Sequence, residues 1–140
     1  INLVYAHLSS VESVDYSQWL LQTIDDLWYK FEAKFLSLWS EHEQSAQNAF
    51  MGKDLSGDSH QTFRQAFLQQ VFSDTLGFAA CKMIRRILGV AKVADLMQFE
   101  DDKLRAKLET QVLNMATTML LNRQADTNIA DVNKLAQNVS

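Results

Sequence analysis

The 140-residue sequence contains no proline and only four glycines, where proline alone usually makes up about 5% of a globular chain. Proline removes a backbone donor and breaks helix interiors, so its absence favours long uninterrupted helices and excludes a β-sandwich with many turns. Cysteine is almost as scarce. Cys81 is the single one, which rules out an internal disulfide and suits a reducing compartment, the cytoplasm. It sits in an apolar run and reads as a buried structural cysteine. No apolar run reaches the ~20 residues of a membrane span. Positive charge is the minority: 13 Lys and Arg against 17 Asp and Glu give a net charge of −4. That lacks the basic footprint of a nucleic-acid binder, and no zinc-finger, helix-turn-helix or RNA-binding signature is present.

Apolar side chains are plentiful, at 47% of the chain. A chain of this size hides roughly 70% of the surface its unfolded form exposes, so residues 1–140 are read as one all-α unit. Their spacing is helical throughout. Ile1, Val4, Tyr5 and Leu8 open a short helix ended by Ser9 and Ser10. Leu20, Ile24, Leu27, Trp28, Phe31, Phe35, Leu38 and Trp39 follow the stripe of an amphipathic helix. Asp15 and Gln18 suit its N-cap, and the pattern lasts to about residue 48. A loop is expected at about 49–59, where turn formers and two glycines gather.

The next helix is expected from Ser59 to Gly89, a candidate C′ glycine. Phe63, Phe67 and Val71 form one line along it, and Leu68, Phe72, Leu76, Ala79, Met83 and Ile87 another. Apolar residues thus cover most of its circumference after Val71, which predicts burial on several sides. Gly77 in its interior predicts a close crossing or a kink. A short turn at 90–96 precedes a helix from Glu100 or Asp101 with the stripe Leu104, Leu108, Val112, Met115 and Met119. After a polar break at 122–128, a last helix, capped by Thr127 or Asn128, spans 129–139. The fold class is a bundle of about four to six helices.

Chemistry-bearing motifs are few. His7, His42 and His60 share no metal-ligand spacing and read as solvated or capping residues. There is no phosphate-binding Gly-rich loop, no nucleophile elbow and no pair of metal carboxylates. What stands out is the basic triple Lys82, Arg85 and Arg86 inside the most apolar helix. Adjacent helical residues point ~100° apart, so Arg85 and Arg86 cannot share one direction, and at least one is expected to face a wet cleft or an acidic partner. Guanidinium forks match phosphate and carboxylate oxygens. The plain alternative is a surface or salt-bridged pair near a helix C-terminus, where cations are favoured.

Residues 72–96 carry a resemblance. Asp74, the pair Gly77-Phe78, the run Ile84-Arg85-Arg86, then Gly89, Val93, Ala94 and Asp95 resemble the C-terminal helical region of 5-methylthioribose kinases. The helix with Trp28, Phe31, Phe35, Leu38 and Trp39 is similar to one in that family, and residues 2–6 resemble the segment just after its metal-binding motif. Lys92 departs, standing where the family has a histidine.

The resemblance implies a protein-kinase-like fold, close to choline and aminoglycoside kinases. It implies transfer of phosphate from ATP, with magnesium, to the 1-hydroxyl of 5-methylthioribose in methionine salvage, by a homodimer. Arg85 and Arg86 match its substrate- and phosphate-binding arginines. The ATP-gripping lobe, the catalytic aspartate and the metal-binding acids would precede Ile1. The chain would then be a C-terminal fragment with no catalytic residue or metal ligand of its own. It would be inactive alone, bind neither ATP nor magnesium, and have the missing lobe as its partner. That loss should expose an apolar patch near residues 1–8 or on the central helix. Another choline- or aminoglycoside-type kinase, or a non-enzymatic helical interaction module, also fits the residues; neither a nucleic acid nor a membrane is expected as partner.

Overall fold

Six α-helical segments form the computed structural model, which describes residues 2–10, 13–42, 57–90, 94–125 and 127–139. They are α1 (Asn2–Ser9), α2 (Val14–His42), α3 (Gly57–Leu88), the single turn α4 (Ala94–Met97), α5 (Asp102–Asn122) and α6 (Ile129–Val139). No strand occurs among the described residues, so the all-α expectation holds. The expected loop at 49–59 falls mostly outside the described residues, and its last three positions already belong to α3. None of the described helices is long and apolar enough to cross a membrane.

Helix starts follow side-chain chemistry. At α5 the Asp101 carboxylate accepts hydrogen bonds from the amides of Lys103 (2.8 Å) and Leu104 (3.4 Å), satisfying two of the donors a helix start leaves open. At α6 the Asn128 side chain accepts from the Asp131 amide while the Asp131 carboxylate accepts from the Asn128 amide, each at 3.2 Å. This reciprocal box identifies Asn128, not Thr127, as the cap. At α2 the expectation of Asp15 is corrected. Ser13 caps the helix, its hydroxyl accepting from the Tyr16 amide at 3.4 Å. The helix starts one residue before Asp15, which instead places its charge in the first turn, where it complements the dipole.

The core is built on the α5 stripe. Leu108, Val112, Met115, Ala116 and Met119 are all buried. Facing them on α3 are Leu76, Ala80, Met83 and Ile87, and α1 adds Val4, Tyr5 and Leu8. Each large apolar side chain so buried contributes about 1.5–3 kcal/mol relative to exposure. The α3–α5 pair is the most extensive helix contact. Arg123, just past the end of α5, lies against Gly77, so with the short 89–101 connection the two helices run antiparallel. Buried Asn133 ties α6 to α2 by donating to the Leu21 carbonyl at 2.9 Å.

Farther along α2, rings replace aliphatic packing. Trp28 meets Phe72 at 4.7 Å, Phe35 stacks on Phe67 at 5.8 Å, and Trp39 contacts Phe67 and Phe63 at 5.2 and 6.1 Å. Only Leu20 and Leu21 of α2 are buried. Of the two places expected to expose an apolar patch, residues 1–8 lack one among the described residues, because Val4, Tyr5 and Leu8 enter the core, whereas the central helix α3 does expose Phe78 and Leu88; most other exposed large apolar residues lie on α2.

Candidate functional site

The register of α3 decides where its basic triple points. Buried positions recur at Phe72, Leu76, Ala80, Met83 and Ile87, a step of three or four residues. That arc leaves the opposite face open. Phe78 is 74% exposed and Leu88 71%, which corrects the expectation of a helix buried on several sides. Cys81 is exposed too, because it lies ~100° around the helix from the buried Ala80. The apolar run around it mixes core and outer positions.

Lys82 and Arg85 are exposed, and Arg86 is half-buried on the flank. α1 meets that flank. Tyr5 is wholly buried, and its phenol donates a long hydrogen bond of 3.5 Å to the Met83 carbonyl. Burial pushes the Tyr5 phenol above its ordinary range, while the Arg86 charge pulls it back. Among the described residues, no acid pairs with Lys82, Arg85 or Arg86. Of the two forms of the plain alternative, the salt-bridged pair is absent among the described residues, whereas a surface pair near a helix C-terminus fits: Arg85 and Arg86 occupy the last turn of α3, where the dipole favours cations.

Gly89 ends α3 without a left-handed backbone, contrary to the expected C′ geometry. Its role is close approach: its amide donates to the Arg85 carbonyl at 2.8 Å, and a Cβ there would lie 2.4 Å from that same oxygen. The glycine thus lets the chain turn away directly beneath the Arg85 backbone. Gly77 also has a steric reason, though not a helix crossing: the Arg123 side chain lies across it, with a Cβ position 3.3 Å from Arg123 Cδ.

Asp74 is drawn into that second contact. Its carboxylate takes Gln70 Nε2 at 3.1 Å and Arg123 Nη1 at 3.5 Å. It stands eleven residues, about 16 Å along the axis, from Arg85, so Asp74 fastens α5 to α3 and does not serve the arginines. A groove of about 280 Å³ between α3, α5 and α6, floored by Leu76, Met119, Val132 and Leu135, lies toward the same end, away from the basic triple. Lys92 is outside the described residues.

Sequence reasoning did not find two residues near these features. Tyr5 lies next to Arg86 across 81 positions of chain, a proximity no local pattern encodes. His7, read as solvated or capping, is buried with its Nδ1 2.6 Å from Ser17 Oγ, joining α1 to α2. Among the described residues no group of three His, Cys, Asp or Glu could hold a metal ion. What remains is an open helical face with three cations, suited to oxyanion binding.

No protein-family model matches the chain, but it has clear relatives. It is 34% identical over 139 residues to "Methylthioribose kinase 2" of Oryza sativa subsp. japonica, covering 94% of this chain and 33% of the rice protein. It is 34% identical over 125 residues to "Methylthioribose kinase" of Escherichia coli O45:K1, covering 84% of this chain and 28% of that protein. The Exiguobacterium sibiricum protein of the same name is 31% identical over 121 residues, covering 84% and 28%. The chain spans about a third of the length of these relatives. Similarity that covers nearly the whole chain, to plant and bacterial proteins of one name, shows that it is homologous to about a third of the length of the methylthioribose kinases.

Proposed function

We propose that this chain is the C-terminal helical part of a kinase that phosphorylates 5-methylthioribose, with Arg85 and Arg86 contributing to the substrate and phosphate site. The carrying observation is 34% identity across 94% of the chain to a protein named for that reaction. The absence of an acid paired with either arginine among the described residues supports it. Phosphoryl transfer is chiefly positioning and electrostatic stabilisation of oxygens. Guanidinium groups not neutralised by a neighbouring carboxylate are available for that work.

When bound, ATP would supply the transferred group and magnesium would neutralise charge on its oxygens. The described residues hold no group of three His, Cys, Asp or Glu that could bind a metal ion. This chain's part is limited to orienting anionic oxygens from α3. The remaining two thirds of the relatives' length has room for the nucleotide-gripping lobe, the catalytic aspartate and the metal ligands. On this reading the chain alone is inactive. The open apolar residues Phe78, Leu88 and Val90 (103% exposed) are then the surface that lobe covers. A cytoplasmic homodimer is the assembly the family resemblance implies.

The test uses the longer protein that contains this chain. Arg85→Ala and Arg86→Ala should each lower kcat for ATP-dependent phosphorylation of 5-methylthioribose by about a hundredfold or more, with unchanged far-ultraviolet circular dichroism. Near-normal turnover in both variants rejects the arginine assignment. Turnover of choline or an aminoglycoside in place of 5-methylthioribose rejects the substrate. The 140-residue chain assayed alone should show no phosphorylation.

A further inference from the structure

Arg85 and Arg86 diverge by ~100° at the helix surface, so they approach a ligand from two directions. Lys82 changes that geometry. It lies three residues before Arg85 and four before Arg86, so it is about 60° from one and about 40° from the other around the helix. Both separations are those at which helical side chains are neighbours. Lys82 is therefore next to both arginines, although they point apart.

The triple is also uncompensated. The positions three and four residues to either side of it hold Phe78, Ala79, Cys81, Met83, Leu88, Gly89 and Val90, none of them acidic. Elsewhere in the described chain some cations at such spacing find acids, as Lys30 with Asp26 at 3.2 Å and Lys134 with Asp131 at 3.1 Å, and single ones such as Lys34 and Lys107 have none; no other stretch without an acid at these spacings holds three. Like charges at this spacing repel by a few tenths of a kcal/mol per pair. In a chain of net charge −4, three such cations within two turns, without a carboxylate, form a local exception. The helix dipole accounts for the two arginines of the last turn, but falls off before Lys82.

We infer that Lys82 is a third phosphate-contacting residue, bridging Arg85 and Arg86 into one three-cation site for a ligand with several linked phosphate groups. This rests on the reading that the α3 arginines meet phosphate oxygens. A linked polyphosphate presents oxygens at more than one position, so it can engage three side chains that approach from different directions. Lys82 supplies a mobile point charge between two rigid forks.

Titration of the 140-residue chain with inorganic tripolyphosphate, followed by nuclear magnetic resonance, tests this. Backbone signals of 82, 85 and 86 should shift together and saturate, with orthophosphate binding more weakly. Lys82→Met, which keeps an unbranched apolar stem, should weaken tripolyphosphate binding about tenfold, and Lys82→Arg should restore it. Lys107→Met removes the same charge from an exposed position on α5 and should leave binding unchanged. Equal weakening by Lys82→Met and Lys107→Met, or shifts that never saturate, would overturn the inference. Selective loss in Lys82→Met combined with normal turnover of the Arg85→Ala and Arg86→Ala kinases would keep the anion site and remove the kinase role.

Discussion

The two halves of α3 are packed by different means. From Leu76 to Ile87 its inner face is closed mainly by aliphatic side chains of α5, with Tyr5 of α1 beside Met83, and Met83, Val112 and Met115 are at 1% exposure or less. From Phe63 to Phe67 it is met by rings from α2, and those two phenylalanines stay 41% and 37% exposed. Rings separated by 5–6 Å between centroids keep helices in touch while leaving their edges wet. Aliphatic chains have to interlock to gain comparable contact. Stability is therefore concentrated in the second half of α3, the half that carries Lys82, Arg85 and Arg86. The α3–α5 contact gives those three side chains a rigid backing.

The sharpest way to break this contrast is at its two ends. Met83→Ala empties a fully buried site and should cost about 2–5 kcal/mol, read as a lower urea midpoint. Trp39→Ala removes a half-buried ring that touches Phe35, Phe63 and Phe67, and should cost about 2 kcal/mol. Its hydrogen-exchange effect should be confined to α2 and the first half of α3. A Trp39 loss as large and as global as that of Met83 would erase the distinction.

Caps come next in size. Asn128→Ala removes the acceptor of the Asp131 amide and should cost about 1 kcal/mol, with fraying limited to α6. The Asp131 carboxylate is held below its ordinary range by hydrogen bonds from Lys134 and then from the Asn128 backbone. Its folded pKa is depressed, so its stabilising effect is present above the unfolded aspartate range and fades as pH falls through the folded value. Carboxyl resonances of Asp131 should follow that course.

The smallest effect lies where the closed region meets the open face. The Tyr5 phenol is raised by burial and partly lowered by Arg86. A group raised in the folded state favours its neutral form there, so its contribution is complete below the unfolded tyrosine range and is lost as pH rises through the folded value. Arg86→Ala should therefore move the Tyr5 titration higher still, seen as a later phenolate absorbance step. A downward move would show that Arg86 does not lie toward α1.

Much of the fold was legible because helical period is a local property. The stripe of Leu108, Val112, Met115 and Met119 was visible as spacing and is buried as spacing requires. The arginine pair was legible as a divergence, again from geometry within one helix. What could not be read was which arc of an apolar helix would find a partner. Phe78 and Leu88 are as apolar as Phe72 and Ile87, yet they face outward. Cys81 misled for the same reason. His7 misled because its partner, Ser17, belongs to another helix.

By itself, the sequence determined the helices, most of their limits, and the presence of three cations within one short stretch. A chain without proline, with apolar residues every three or four positions, gains most from regular helix hydrogen bonding. Tertiary structure alone decided that α5 and α1 take one side of α3 and leave the other open. Burial depends on which surfaces meet, and that choice brought Arg86 within electrostatic reach of Tyr5 and left Lys82 and Arg85 facing solvent, paired with no acid among the described residues.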